Sequence, residues 1–181
     1  GIFVMEKQRL VAAIAHAASG TATCVADYHF SDKGQNALSG LHVGQMVLDG
    51  KGMIWASSHD HLDRIDPYTM RVAHIGGNDA INYLMASGNG NVWVGYNASV
   101  KCYMVNLPMK GKEVDSKEWK IGDKVVSMCD VEGNIWVAAG NACCVLDPKG
   151  NSFRFIIPMV TPNNIYYSKL NHEVVMGGND G

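Results

Sequence analysis

Cys129-Asp130-Val131-Glu132-Gly133-Asn134-Ile135-Trp136-Val137-Ala138-Ala139 is the stretch whose reading decides the fold, because its pattern recurs upstream. Asp49-Gly50-Lys51-Gly52-Met53-Ile54-Trp55 and Ser87-Gly88-Asn89-Gly90-Asn91-Val92-Trp93-Val94-Gly95 carry a polar turn, a β-branched residue and a tryptophan in the same register. Lys169-Leu170-Asn171-His172-Glu173-Val174-Val175-Met176-Gly177-Gly178 is a degenerate copy with Val175 in the tryptophan slot. The slots stand 38, 43 and 39 residues apart. A period of roughly 40 to 50 residues is that of one blade of a β-propeller. The predicted fold is all-β: propeller blades, each a four-stranded antiparallel sheet.

Working outward, the pattern gives one domain over 1–181, with complete blades over 41–75, 80–121 and 124–157 and partial blades over 1–30 and 163–181. Within the first complete blade the strands read 42–48, 53–57, 61–66 and 71–75. Asp66-Pro67 and Asp147-Pro148 each follow a repeat tryptophan by eleven residues and end third strands, since proline supplies no ladder donor. A charged insertion, 110–117, separates two strands of the middle blade. Gly52, Gly90 and Gly133 supply the positive φ that tight hairpins need. The strand after each turn is almost continuously apolar, as expected when neighbouring blades cover both of its faces. Trp55, Trp93 and Trp136 are thus expected to be wedges between blades. The first segment fits least: 1–8 reads as a third strand, 10–18 as a short helix or a strand, and 24–30 as an outer strand. An open array exposes a sheet face at each end. Either the first and last strands share a blade, or the chain is a piece of a larger propeller, which is the reading adopted.

An apolar fraction of 47% is ample for a buried core. The net charge of −2 offers no basic field for a phosphate backbone, so no nucleic-acid partner is expected. No apolar run is long enough to span a bilayer. The stretch 5–24 mimics a leader, but His16 interrupts its short apolar segment, and it is read as part of the fold. Five cysteines leave at least one thiol unpaired, and adjacent Cys143 and Cys144 point to opposite faces of a strand. They are read as small buried hydrophobes.

With Asp-x-x-Gly-Asn-Ile-Trp-Val-Ala-Ala, a third strand closing on Asp-Pro, and the lead-in Ser39-Gly40-Leu41-His42-Val43-Gly44-Gln45-Met46-Val47-Leu48-Asp49, the chain resembles the two-component regulator propeller repeat. The resemblance covers 38–181. It implies part of a seven-bladed propeller in the periplasmic sensor region of a Bacteroides-type hybrid two-component histidine kinase. The kinase would lie elsewhere in a longer, membrane-anchored chain, a second copy of the chain, in a homodimer, is an expected partner, and an oligosaccharide is the implied ligand. The residues after the tryptophans depart from the family's Gly-Thr, reading Ser57-Ser58, Gly95-Tyr96 and Ala138-Ala139.

In such a fold the loops joining second to third strands gather on one face. They contribute His59, Asp60 and His61, Tyr96 and Asn97, Asn141, and Asn179. An aromatic ring with amides and a carboxylate around a concavity suits a sugar. No Ser-His-Asp, paired-carboxylate or phosphate-loop arrangement is visible, so no catalytic residue, metal or cofactor is assigned. The function expected is a non-catalytic extracytoplasmic sensor module. The alternatives are a streptogramin-lyase-like propeller enzyme and a protein-binding scaffold.

Overall fold

The computed structural model describes residues 2–4, 28–30, 37–40, 42–77, 79–105, 114–147, 150–157 and 160–179. Three four-stranded antiparallel sheets follow one another along the chain, each an up-and-down meander. The first comprises β3 (Met46–Leu48), β4 (Ile54–Ser58), β5 (His61–Asp66) and β6 (Arg71–Gly77). The second comprises β7 (Tyr83–Ala86), β8 (Val92–Gly95), β9 (Ser99–Tyr103) and β10 (Ser116–Lys120). The third comprises β11 (Val125–Val131), β12 (Asn134–Ala139), β13 (Ala142–Leu146) and β14 (Ser152–Ile156). Two-stranded sheets flank them, β1 (Ile2–Val4) with β2 (Tyr28–Phe30) and β15 (Pro162–Ser168) with β16 (Glu173–Gly178). These are the blades of a β-propeller, as the repeat predicts. Among the described residues no helix is long and apolar enough to cross a membrane. The leader-like stretch 5–24 and the segment 10–18 lie outside the described residues.

Register confirms that the repeat slots are structurally equivalent. Val47 faces Trp55, Met85 faces Trp93, Cys129 faces Trp136 and Tyr166 faces Val175 across the first two strands of successive sheets. Trp55 is fully buried, in a cluster that joins it to Leu84, Val92, Val94 and Tyr103 of the next sheet. Trp93 does the same one blade on, packing with Val125, Met128 and Ile135. Trp136 is only half-buried, beside Ile165 of the two-stranded sheet. Fully burying an apolar side chain contributes about 1.5–3 kcal/mol, so these inter-blade layers dominate the stability.

Differences from the sequence reading are local. The first inner strand is regular only from Met46, although Gly44 and Gln45 still bond Ser57 (Gly44 N to Ser57 O, 2.8 Å; Ser57 N to Gln45 O, 2.9 Å). The insertion placed at 110–117 ends earlier, because Ser116 and Lys117 already pair with Tyr103 and Cys102. The turns are of two kinds. Glu132 and Gly133 form a two-residue loop with φ of 53° and 93°. The Asp49 and Ser87 turns are longer, with Gly52 and Gly90 alone at positive φ (78° and 82°) and the bonds Gly52 N to Asp49 O and Gly90 N to Ser87 O at 3.0 and 2.8 Å. That is a type I turn closed by a left-handed residue. Cys143 and Cys144 do fall in different inter-blade layers. Burial pushes Cys102 up to about 12 and Cys129 and Cys143 up to about 11, which keeps these thiols protonated and inert at neutral pH.

Candidate functional site

The loops between second and third strands share a face with the connections between blades. Ile81, entering the second sheet, donates its N–H to the His59 carbonyl at 2.7 Å, and Val125, entering the third, donates to the Tyr96 carbonyl at 3.0 Å. His59 and Asp60 form the β4–β5 turn, with His59 at φ 52°. Asp60 Oδ1 lies 3.5 Å from His59 Nδ1 and 3.4 Å from His61 Nε2, so the three side chains meet at the loop tip in solvent. Asn97 Nδ2 donates to Asp79 Oδ1 at 2.9 Å while its Oδ1 accepts from Asn82 Nδ2 at 3.1 Å. Asn179 Oδ1 accepts from Asn163 Nδ2 at 2.8 Å, an amide pair like that of Asn97 and Asn82. Asn141 is exposed and follows Gly140, whose φ is 57°. Among the described residues no three His, Cys, Asp or Glu side chains are arranged to hold a metal ion.

Tyr96 is the one phenol ring among these residues, and it is not a free platform. It is half-buried against the Trp55 cluster, and its hydroxyl bonds that of Tyr103. Burial, and then Tyr103, push its pKa upward, so the hydroxyl stays neutral and able to donate. The ring edge borders a crevice of about 470 Å³ between the first and second blades, whose other walls include Asp79, Ser99, Lys101, Tyr103 and Glu118.

A larger cleft, about 670 Å³, opens on the opposite face, where the turns between first and second strands gather. Gly88 N donates to Asp130 Oδ2 at 2.6 Å, tying the second blade's turn to the third's. Tyr167 donates to Glu132 Oε1 at 2.7 Å, and His172 Nδ1 lies 3.2 Å from the same oxygen, tying the third to β15–β16. These bonds, Tyr167's first, hold Glu132 below the usual carboxylate range, and Glu132 in turn raises Tyr167. Sequence reasoning absorbed Asp130 and Glu132 as turn formers; the available signal was two carboxylates in one short turn.

One further constellation was invisible in the sequence. Buried Asp63 accepts from Ser39 N (2.7 Å), Ser39 Oγ (2.5 Å) and His74 Nδ1 (2.7 Å). The residue types match a hydrolase triad, but His74 turns one nitrogen, Nδ1, towards both Ser39 Oγ (2.6 Å) and Asp63. A relay needs one ring nitrogen for each partner, so this geometry anchors the entering connection instead.

Fold and loops together define a β-propeller with crevices on both faces. Comparison with family models and with curated proteins finds no match. Among solved structures, the extracellular domain of the hybrid two-component system BT4673 from B. thetaiotaomicron superposes with a TM-score of 0.78 at 23% identity, covering 98% of this chain and 23% of that one. The extracellular domain of BT3049 from the same organism gives 0.69 at 14% identity over 88% of this chain and 24% of that one. Virginiamycin B lyase from Staphylococcus aureus gives 0.59 at 13% identity, covering 75% and 55%. At these identities the likeness is one of fold, and the chain spans under a quarter of the length of the two extracellular domains.

Proposed function

We propose that the chain is a ligand-binding module of the extracytoplasmic sensor region of a two-component signalling protein, and that its ligand is an oligosaccharide. The observation that supports this most is the superposition with the extracellular domain of a hybrid two-component system over 98% of the chain. The seat assigned to the saccharide is the loop face carrying His59, Asp60, His61 and Asn97, with the Tyr96 crevice beneath it. Asn141 and Asn179 carry the same chemistry to later blades. Loops on a rigid sheet scaffold are where binding residues concentrate, and a 470 Å³ crevice falls within the usual size of a small-molecule site. The test is a panel of plant and host oligosaccharides titrated calorimetrically into the 181-residue chain, with Tyr96→Phe as comparator. A saccharide whose affinity falls when the hydroxyl is removed supports the reading; no heat from any member sinks it.

The lyase reading draws on the superposition with virginiamycin B lyase. Magnesium-dependent ring opening of a streptogramin B by this chain would establish it. Dimerisation seen by light scattering, without binding or turnover, would favour the scaffold.

A further inference from the structure

The charges lining the Tyr96 crevice bear on what kind of saccharide it takes. Strands β9 and β10 turn alternate residues toward the first blade: Ser99, Lys101 and Tyr103 from one, Glu118 and Lys120 from the other, with Glu118 directly opposite Lys101 in the ladder. Lys120 Nζ holds Glu118 Oε1 at 2.6 Å, and Ser99 also bonds that carboxylate. Asp79 at the rim is already engaged by Asn97 and by the Ala80 N–H at 2.8 Å. Lys101 differs. Its ammonium lies 5.0 Å from the Tyr103 ring centroid, and among the described residues no carboxylate approaches within ion-pair distance. Counting Asp79, whose neutral donors leave its charge in place, the crevice carries two cations and two carboxylates; among the described residues Lys101 is the cation of the two without a direct ion pair, and it sits against an aromatic face beside the Tyr96 and Tyr103 hydroxyls.

We propose that this crevice accepts an acidic saccharide, one bearing a uronate carboxylate or a sulfate ester, and that Lys101 is the cation that receives the anionic group. The inference rests on the loop face being a saccharide site. Lys101 is half-buried between strands, so an anion reaching it is partly withdrawn from water and screened less than at an open surface. The Lys120–Glu118 pair, 82% and 41% exposed, is weak enough to rearrange around an incoming anion. The Tyr96 hydroxyl, kept neutral by burial, adds a polar group to the same wall.

The experiment pairs each acidic probe with its neutral counterpart. Oligogalacturonate is set against its methyl ester, and a sulfated galactan fragment against the desulfated sugar, by calorimetry on the 181-residue chain. The expected result is that one acidic probe binds about tenfold more tightly than its counterpart. That preference should shrink as salt rises from about 0.05 to 0.5 M. Which probe wins identifies the anionic group. Lys101→Met should abolish the preference, while Lys101→Arg should retain it; the salt titration decides the matter even if the methionine variant folds poorly. Equal affinity for acidic and neutral members overturns the inference and leaves the saccharide reading standing. Binding to none of the four, while another saccharide of the panel binds, overturns the inference alone; silence from the whole panel overturns both.

Discussion

At the scale of single residues, the polar turn residue six places before Trp55 and before Trp93 does more than close a hairpin. Asp49 is wholly buried as a side chain and accepts from Trp55 Nε1 (2.8 Å), Arg64 Nη2 (3.0 Å) and the Lys51 and Met53 N–H groups (2.8 and 3.0 Å). Ser87 fills the same slot in the next blade and accepts from Trp93 Nε1 at 3.1 Å. Burial alone would raise the Asp49 pKa; the bond from Trp55, the two backbone donors and Arg64 outweigh it and bring the net direction below the ordinary value. Asp49→Asn replaces the buried charge facing Trp55 Nε1, two backbone N–H groups and Arg64 with a neutral amide and is expected to cost about 2–3 kcal/mol in urea unfolding at pH 7. A carboxylate with a depressed folded pKa contributes stability that is complete above the unfolded value, near 3.9, and is lost as pH falls through the folded one. The gap between wild type and Asp49→Asn should therefore be full at neutral pH and shrink as pH falls below about 4. A gap that does not narrow on acidification would mean the carboxylate's charge is not the source. His59 poses the opposite case. Its φ of 52° costs a side-chain-bearing residue about 1–2 kcal/mol, against about 0.5–1 kcal/mol lost in placing the more flexible glycine there. His59→Gly should thus raise stability by about 0.5 kcal/mol, and an unchanged or lowered melting temperature would argue that the ring itself stabilises the turn.

At the scale of elements, the blades meet through strand faces so closely apposed that one methyl group matters. Gly95 ends β8 beneath the first residue of β11, and a Cβ there would lie 2.8 Å from Val125 Cβ, nearer still to its Cγ1, and 3.4 Å from Tyr83 Cβ. None of these is the loose end of a flexible chain. Gly95→Ala should cost about 1–3 kcal/mol through overpacking, and its urea midpoint measures this. Gly133→Ala is the contrasting control. Nothing stands within 4 Å of its Cβ position, and at φ 93° its cost is one of backbone strain alone. If both variants lose stability but only Gly95→Ala perturbs the fluorescence of the neighbouring Trp93 layer, the two causes are separated. The sequence made this scale half legible. Equivalent slots could be matched from the period, so the sheets, their order and the wedge tryptophans were readable in advance. Trp119 was not. In Ser116-Lys117-Glu118-Trp119-Lys120 it looks like an aromatic on a solvated edge, yet it stacks on Trp93 with centroids 5.2 Å apart and donates to the Gly150 carbonyl. Its partners lie 26 and 31 residues away along the chain, Trp93 two strands over in its own sheet, and no local pattern announces them.

At the scale of the whole molecule, the same limit explains which parts of the candidate sites escaped the sequence. A repeat fixes what each blade contributes but not which contributions from different blades converge. His59, Asp60 and His61 are neighbours in sequence and meet as expected, whereas the Tyr96 crevice needs Lys101 and Glu118 from other strands. The opposite cleft needs Asp130, Glu132, Tyr167 and His172 from separate turns. That modular construction also sets how stability is distributed. In a repeat array each unit is held by its own sheet and by its two neighbours, so a unit with fewer neighbours opens more readily. The third sheet is covered on both faces, by the Trp93 layer on one side and the Ile165 layer on the other. In the sheet β15–β16, Val175 occupies the tryptophan slot at 55% exposure, opposite Tyr166 at 65%. Amide hydrogen exchange on the 181-residue chain should accordingly protect β12 and β13 close to the global unfolding free energy, with β16 exchanging through a local opening at least tenfold faster. Adding low urea should accelerate the β12 amides but barely change those of β16, because local openings expose little surface. Equal protection of β16 and β12, with equal urea dependence, would mean that the blades unfold as one cooperative block and that nearest-neighbour packing is not what apportions the stability of this chain.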